Sequence, residues 1–205
     1  MKRTIFFLLP YLILQWAGVI YGQSEIPEGL AFQAITDLDG SVWLATAKGA
    51  IHIEKDGIVN RYDKSKGLND DMVMQVVVDP DGTKWFIHSG NLKVGGIGGL
   101  SGAWANGVSH LKKDGTIEIF TYNKGLPTGM VFCIAFDIDG SRWFGTFDGV
   151  VHMKSDGTTK VIDSKDGLPN DRVRSILVDK DGQKWFATEN GIARMEHNGQ
   201  ITTVK

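Results

Sequence analysis

Beyond residue 30 the chain alternates between short apolar runs, rich in Val, Ile, Trp and Phe, and polar pairs ending in glycine. Met72-Val-Met-Gln-Val-Val-Val78 is one such run; Arg142-Trp-Phe-Gly-Thr146 is another. Runs of this length and composition, bounded by Asp-Gly or Asn-Gly, predict antiparallel strands joined by tight hairpins. Glycine is needed there because it accepts the positive φ of such turns. No stretch beyond residue 30 carries a helical period.

The predicted strands recur in a fixed order. Asp-x-Asp-Gly-x-x-Trp occurs at 37–43, 79–85, 137–143 and 179–185, with Trp spacings of 42, 58 and 42. A second turn follows each Trp, at Asp56-Gly57, Asp114-Gly115, Asp156-Gly157 and Asn198-Gly199. The long spacing puts 16 extra residues between Trp85 and Asp114. Each unit reads as four strands, and four strands in about 42 residues is the size of a propeller blade. Trp is followed by a second large residue in every unit: Trp43-Leu44, Trp85-Phe86, Trp143-Phe144, Trp185-Phe186. Successive strand residues point to opposite faces, so both faces of each sheet are expected to be buried. The predicted fold is all-β: a four-bladed β-propeller, or an open four-blade arc, with four antiparallel strands per blade. The blades fall at about 31–66, 67–124 (with a Gly-rich insertion near 89–106), 125–166 and 167–205.

Residues 1–22 are different. Lys2 and Arg3 precede an apolar run from Ile5 to Leu14, and Gly22 is a small residue suited to a cleavage site. This layout predicts a secretory signal peptide, leaving 23–205 as a periplasmic or secreted propeller domain. An uncleaved membrane anchor is the alternative reading, weakened by Pro10 and Gln15.

Composition removes several function classes. A chain that is 42% hydrophobic and 22% charged can bury a core. Its net charge of −2, with signs mixed along the chain, argues against nucleic acid. Its single cysteine, Cys133, excludes an internal disulfide and reads as a core residue of an inner strand. His52, His110 and His152 share one repeat position, which Arg194 fills in the fourth unit. On separate blades they stand too far apart for Zn–N bonds of about 2.0–2.1 Å, so they read as structural. The Asp-x-Asp-Gly turns lack the Glu at position 12 of a calcium loop. The seven glycines of 90–107 lack the spacing of a dinucleotide loop. No metal or cofactor is expected.

The Asp-Gly-x-x-Trp-Phe-Gly-Thr-x-x-Gly-Val pattern at 139–150 and Gly-Leu-Pro-Asn-Asp-Arg-Val at 167–173 resemble the two-component regulator propeller repeat. The resemblance runs over roughly residues 31–205. It implies a periplasmic ligand-binding sensor propeller, of a kind commonly joined to a membrane-spanning histidine kinase and often read as recognising glycans. The repeat also resembles that of streptogramin lyases, which are propeller enzymes.

Strand direction places the blade-joining loops and the insertion on one face of the repeat, and the Asp-Gly hairpins on the other. Irregular loops on a regular scaffold are where binding is expected. The candidate ligand-binding residues are therefore Trp104 in the insertion, His88 beside it, and Asp71, Asp171 and Arg172 in the joining loops. His88 stands where the other units carry Thr46, Thr146 and Thr188. No nucleophile–base pair is evident, so the expected function is a non-catalytic module binding a carbohydrate or other polar extracellular ligand. A protein–protein scaffold, with a membrane sensor as partner, is the alternative; a lyase-type enzyme is a third reading. An open blade ring would allow a homo-oligomer.

Overall fold

The computed structural model describes residues 30–89, 107–122, 124–127 and 130–204. The signal-peptide segment, most of the insertion and Trp104 lie outside them. The described residues form four four-stranded antiparallel sheets, each in sequential strand order. Blade 1 comprises β1 (Ala31–Thr36), β2 (Val42–Thr46), β3 (Gly49–Ile53) and β4 (Val59–Tyr62). Blade 2 comprises β5 (Val73–Val78), β6 (Lys84–His88), β7 (Val108–Leu111) and β8 (Ile117–Phe120). Blade 3 comprises β9 (Val131–Phe136), β10 (Arg142–Thr146), β11 (Gly149–Met153) and β12 (Thr159–Ile162). Blade 4 comprises β13 (Val173–Val178), β14 (Lys184–Thr188), β15 (Gly191–Met195) and β16 (Ile201–Val204). These are the propeller blades predicted from the repeat. The only helical pieces among the described residues are 3₁₀ turns at Lys64–Lys66 and Ser164–Asp166.

The recurrent motif divides its labour between two aspartates. The second one shapes the turn: Asp39, Asp81 and Asp139 each accept a backbone N–H two residues on, at 2.8 Å. The first reaches the tryptophan: indole Nε1 of Trp43, Trp85 and Trp185 donates to Asp37, Asp79 and Asp179 at 2.9, 3.3 and 2.8 Å. A buried indole N–H needs such an acceptor. The recurring spacing of six residues is thus the reach of a side chain across a hairpin. Glycine at the turn has φ near +90°, as at Gly40 and Gly82.

The chain forms two compact units: Met1–His88 with Leu111–Ile117, and Ser89–His110 with Glu118–Lys205. In the first, Trp43 packs on Phe86 of the next blade, with ring centroids 5.7 Å apart, among Ala45, Ala50, Leu68, Val73 and Val76. In the second, Trp143 packs on Phe186 at 6.2 Å, among Val150, Ile162, Leu168, Val173 and Ala193. The repeated interface is therefore one blade's Trp-bearing face against the next blade's Phe-bearing face. Lysines seal it: Lys84 pairs with Asp37 at 2.8 Å and Lys184 with Asp137 at 2.5 Å, both largely buried.

The expectation of two buried faces fails in blade 4. Phe186 is buried, but Trp185 is only half-buried, and Leu177 and Ile192 on its side of the sheet are exposed.

Candidate functional site

The predicted histidine is deeply placed. His88 ends β6 and is 4% exposed. Burial drives its pKa down to about 4, against the opposing pull of Asp70, a hydrogen bond with the Met72 backbone, and Asp71. At neutral pH it is an uncharged core group. The threonines at equivalent places tie down a loop, Thr46, Thr146 and Thr188 donating to the carbonyls of Gly49, Gly149 and Gly191.

Asp71 and Asp171 brace the blade-joining turns. Their Oδ1 atoms accept from Lys64 N at 2.8 Å and Ser164 N at 2.7 Å. Arg172 does lie in a charged cluster: its Nη1 donates to Glu189 Oε2 at 3.0 Å and its guanidinium sits 4.3 Å over the Phe147 ring. Arg174 shares Glu189 and lies over Phe132. The two arginines hold the Glu189 carboxyl below the usual range. The repeat-position histidines stack on tryptophan across the sheet, His52 on Trp43 and His152 on Trp143, with centroids 4.3 and 3.8 Å apart.

Sequence reasoning missed a groove in the second unit. It runs between blades 3 and 4 from the Asp137–Gly140 hairpin toward the Ser164–Asp166 turn, with a volume of about 340 Å³. Trp143, His152 and Ile162 form one wall, Met195 and Ile201 the other; Asp139, Lys160, Asp166 and Glu196 supply charge, and His197 also lines the groove. Here the repeated hydrogen bonding is broken. Trp143 Nε1 and His152 Nε2 are buried without a partner. Their counterparts are satisfied: Trp43 Nε1 by Asp37, and His52 Nε2 by Ser41 Oγ at 2.7 Å. Asp137 is engaged instead by Lys184, whose Nζ also lies 5.4 Å over the Trp143 ring. In the first unit the corresponding space holds Tyr62, tilted against Trp43 at 5.2 Å and stacked on Phe86 at 6.3 Å. Ile162 stands at that repeat position and is too short to fill it. The only sequence signal was that Tyr-to-Ile difference between otherwise matching units.

Residues 167–190 match the family model described as two component regulator propeller. A comparison with curated proteins finds no match. Among solved structures, the chain is similar to the extracellular domain of a protein described as a hybrid two component system from B. thetaiotaomicron. The TM-score is 0.68 at 22% identity, covering 85% of this chain and 23% of that one. It is also similar to virginiamycin B lyase from Staphylococcus aureus, with a TM-score of 0.63 at 24% identity, covering 86% and 55%. A gluconolactonase from Xanthomonas campestris follows at 0.56 and 17%, covering 85% and 61%. The chain thus spans about a quarter of the first of these structures and about half of the second. These likenesses bear out the propeller fold, which both sensor domains and enzymes use.

Proposed function

We propose that this chain is an exported, sensor-type propeller module that binds a small polyhydroxylated ligand, a mono- or disaccharide, in the groove between blades 3 and 4. The observation that carries the reading is the loss of internal partners at Trp143 Nε1 and His152 Nε2 beside an open groove. A buried N–H without an acceptor costs about 1–3 kcal/mol, and a ligand oxygen that supplies one recovers it. Ile162, Met195 and Ile201 offer an apolar surface to a sugar's C–H face. Asp139, Lys160, Asp166 and Glu196 offer acceptors and donors to its hydroxyls. The groove is at the small end of the range for small-molecule sites, roughly 300–1,000 Å³, which favours one or two sugar rings. Access to the indole requires Lys184 to shift from above it. The fold shared with extracellular sensor domains supports a sensing role and an exported location. The burial of His88 as a neutral group leaves the lyase reading without its nearest base.

Calorimetric titration with a panel of neutral and amino mono- and disaccharides tests the reading. Lys160→Ala, at an exposed position, is expected to weaken binding about tenfold, or about 1.4 kcal/mol, with little change in thermal stability; Asp166→Ala is expected to weaken it similarly while also removing the acceptor of the Asp163 N–H in the adjoining turn. Absence of binding across the panel, or unchanged affinity in both variants, overturns it.

A further inference from the structure

At the strand ends opposite the Asp-Gly hairpins, blades 3 and 4 share a second charged cluster. Phe147 follows β10, Glu189 follows β14, Arg172 and Arg174 flank Val173 at the start of β13, and Phe132 lies in β9. None of them lines the groove. Each guanidinium lies over an aromatic ring, Arg172 4.3 Å from the centroid of Phe147 and Arg174 4.1 Å from that of Phe132. Both reach the same carboxylate. Arg172 Nη1 donates to Glu189 Oε2 at 3.0 Å; Arg174 Nε donates to Oε1 at 3.0 Å, and its Nη2 donates there too. Two cations thus share one anion, leaving one positive charge in excess. The remaining guanidinium N–H groups meet no acceptor among the described residues, and the two side chains are 47% and 50% exposed. Phe147 is 41% exposed.

The near-copy a hundred positions earlier shows that the fold does not need this cluster. Phe132 keeps its counterpart, Phe32, but Phe147, Arg172, Arg174 and Glu189 stand where the first unit has Ala47, Met72, Met74 and Ser89. Four positions from three separate segments differ together, and contacts link all four. Ion pairs this exposed add little stability, so holding the fold together is a poor reason for them. We propose that Arg172 and Arg174 form a binding site for a small organic carboxylate. The carboxylate takes the unspent N–H groups, and the carbon frame rests on the exposed part of Phe147. The inference is independent of any ligand in the groove. The chemistry selects the ligand. A guanidinium laid flat on a ring presents its N–H edge as a planar fork, which matches the two oxygens of a carboxylate. The excess positive charge balances one negative charge, and a second would be repelled by Glu189. The Phe147 ring favours an organic frame over a bare inorganic ion.

Heteronuclear NMR titration of the full chain with benzoate, at low ionic strength, tests this. Shift changes should concentrate at Phe147, Arg172, Arg174 and Glu189. Benzamide, which has the same shape without the charge, and inorganic phosphate should each bind at least about fivefold more weakly than benzoate. Arg172→Met and Arg174→Met introduce the side chains that the first unit carries at these positions, and each should weaken benzoate binding at least about fivefold. Circular dichroism separates lost binding from lost folding, and either folded variant suffices. Arg61→Met, at an exposed arginine of the first unit, should leave the affinity in place. Absence of benzoate binding up to about 50 mM overturns the proposal, as does binding no tighter than that of benzamide or binding unmoved by both substitutions. Phosphate binding more tightly than benzoate overturns the assignment to a carboxylate.

Discussion

The two compact units are near-copies, a hundred positions apart, and their differences are few enough to read one at a time. Trp43 and Trp143 begin from the same Asp-x-Asp-Gly-Ser-x-Trp text. In the first unit the indole donates to Asp37, and Tyr62 fills the space beside it. In the second the indole has no acceptor, and a groove opens against Ile162. The inner strands differ as well. Gln33 accepts the Val76 N–H at 2.7 Å, while Cys133 takes over that place against the Ile176 backbone. Burial pushes its thiol up to about 11, so it is a spacer rather than a nucleophile. A Cβ on Gly145 would come 2.5 Å from the Cys133 sulfur, whereas the first unit carries Ala45 at the equivalent position. The motif therefore secures the sheet, while the residues around it decide whether the space between sheets is filled or left as a site.

The sharpest way to break this comparison is through the buried lysines. Lys184→Met leaves Asp137 buried without its cation or an indole donor, and should cost about 3–5 kcal/mol. Lys84→Met should cost less, because Asp37 keeps the Trp43 N–H. Urea denaturation of the two variants checks the order; equal losses would mean that the Trp143 hydrogen bond forms in solution. The next effect belongs to His88, which stands at the repeat position that Thr188 fills in the fourth blade. Its folded pKa lies below the ordinary value, so its contribution is complete above about pH 6.5 and lost as pH falls toward about 4. By linkage the protein should lose about 2 kcal/mol between pH 7 and pH 5, and His88→Thr should flatten that slope. Denaturant midpoints at the two pH values measure it. The smallest effect distinguishes the indoles directly. Trp43→Phe and Trp143→Phe remove similar volume, but only the first removes a satisfied hydrogen bond. Trp43→Phe should be the costlier by about 1 kcal/mol, and an equal pair of melting temperatures would remove the distinction.

Much of the scaffold was legible because each blade's instructions are local. Apolar runs with Asp-Gly punctuation placed β10 at Arg142–Thr146 and β5 within one residue of Val73–Val78, and they gave the Trp/Phe faces. The structural role of His52 and His152 was legible too, since each lies directly across a strand pair from its Trp. The site was harder to read. Irregular loops pointed to Asp71 and Asp171, but a loop aspartate is as readily spent on its own backbone as on a ligand, and both brace turns. The groove arises from a side chain that is too short, and nothing local to Ile162 announces what it fails to reach. The exposure of Trp185 is likewise invisible in a motif identical in kind to the buried copies, because burial there depends on a neighbour.

That half-covered blade also bears on how the molecule comes apart. In a stack of repeats, each element's resistance to opening is its own small stability plus a coupling term for each neighbour it touches. Blade 3 draws on the interface at Trp143 and Phe186 for one such term, and blade 4 shares it from the other side. With Leu177, Ile192 and Val204 in solvent, blade 4 has no second term of that kind. Its strands are the natural first step of partial unfolding, and anything that covered that face would protect the whole unit by holding the sheet shut.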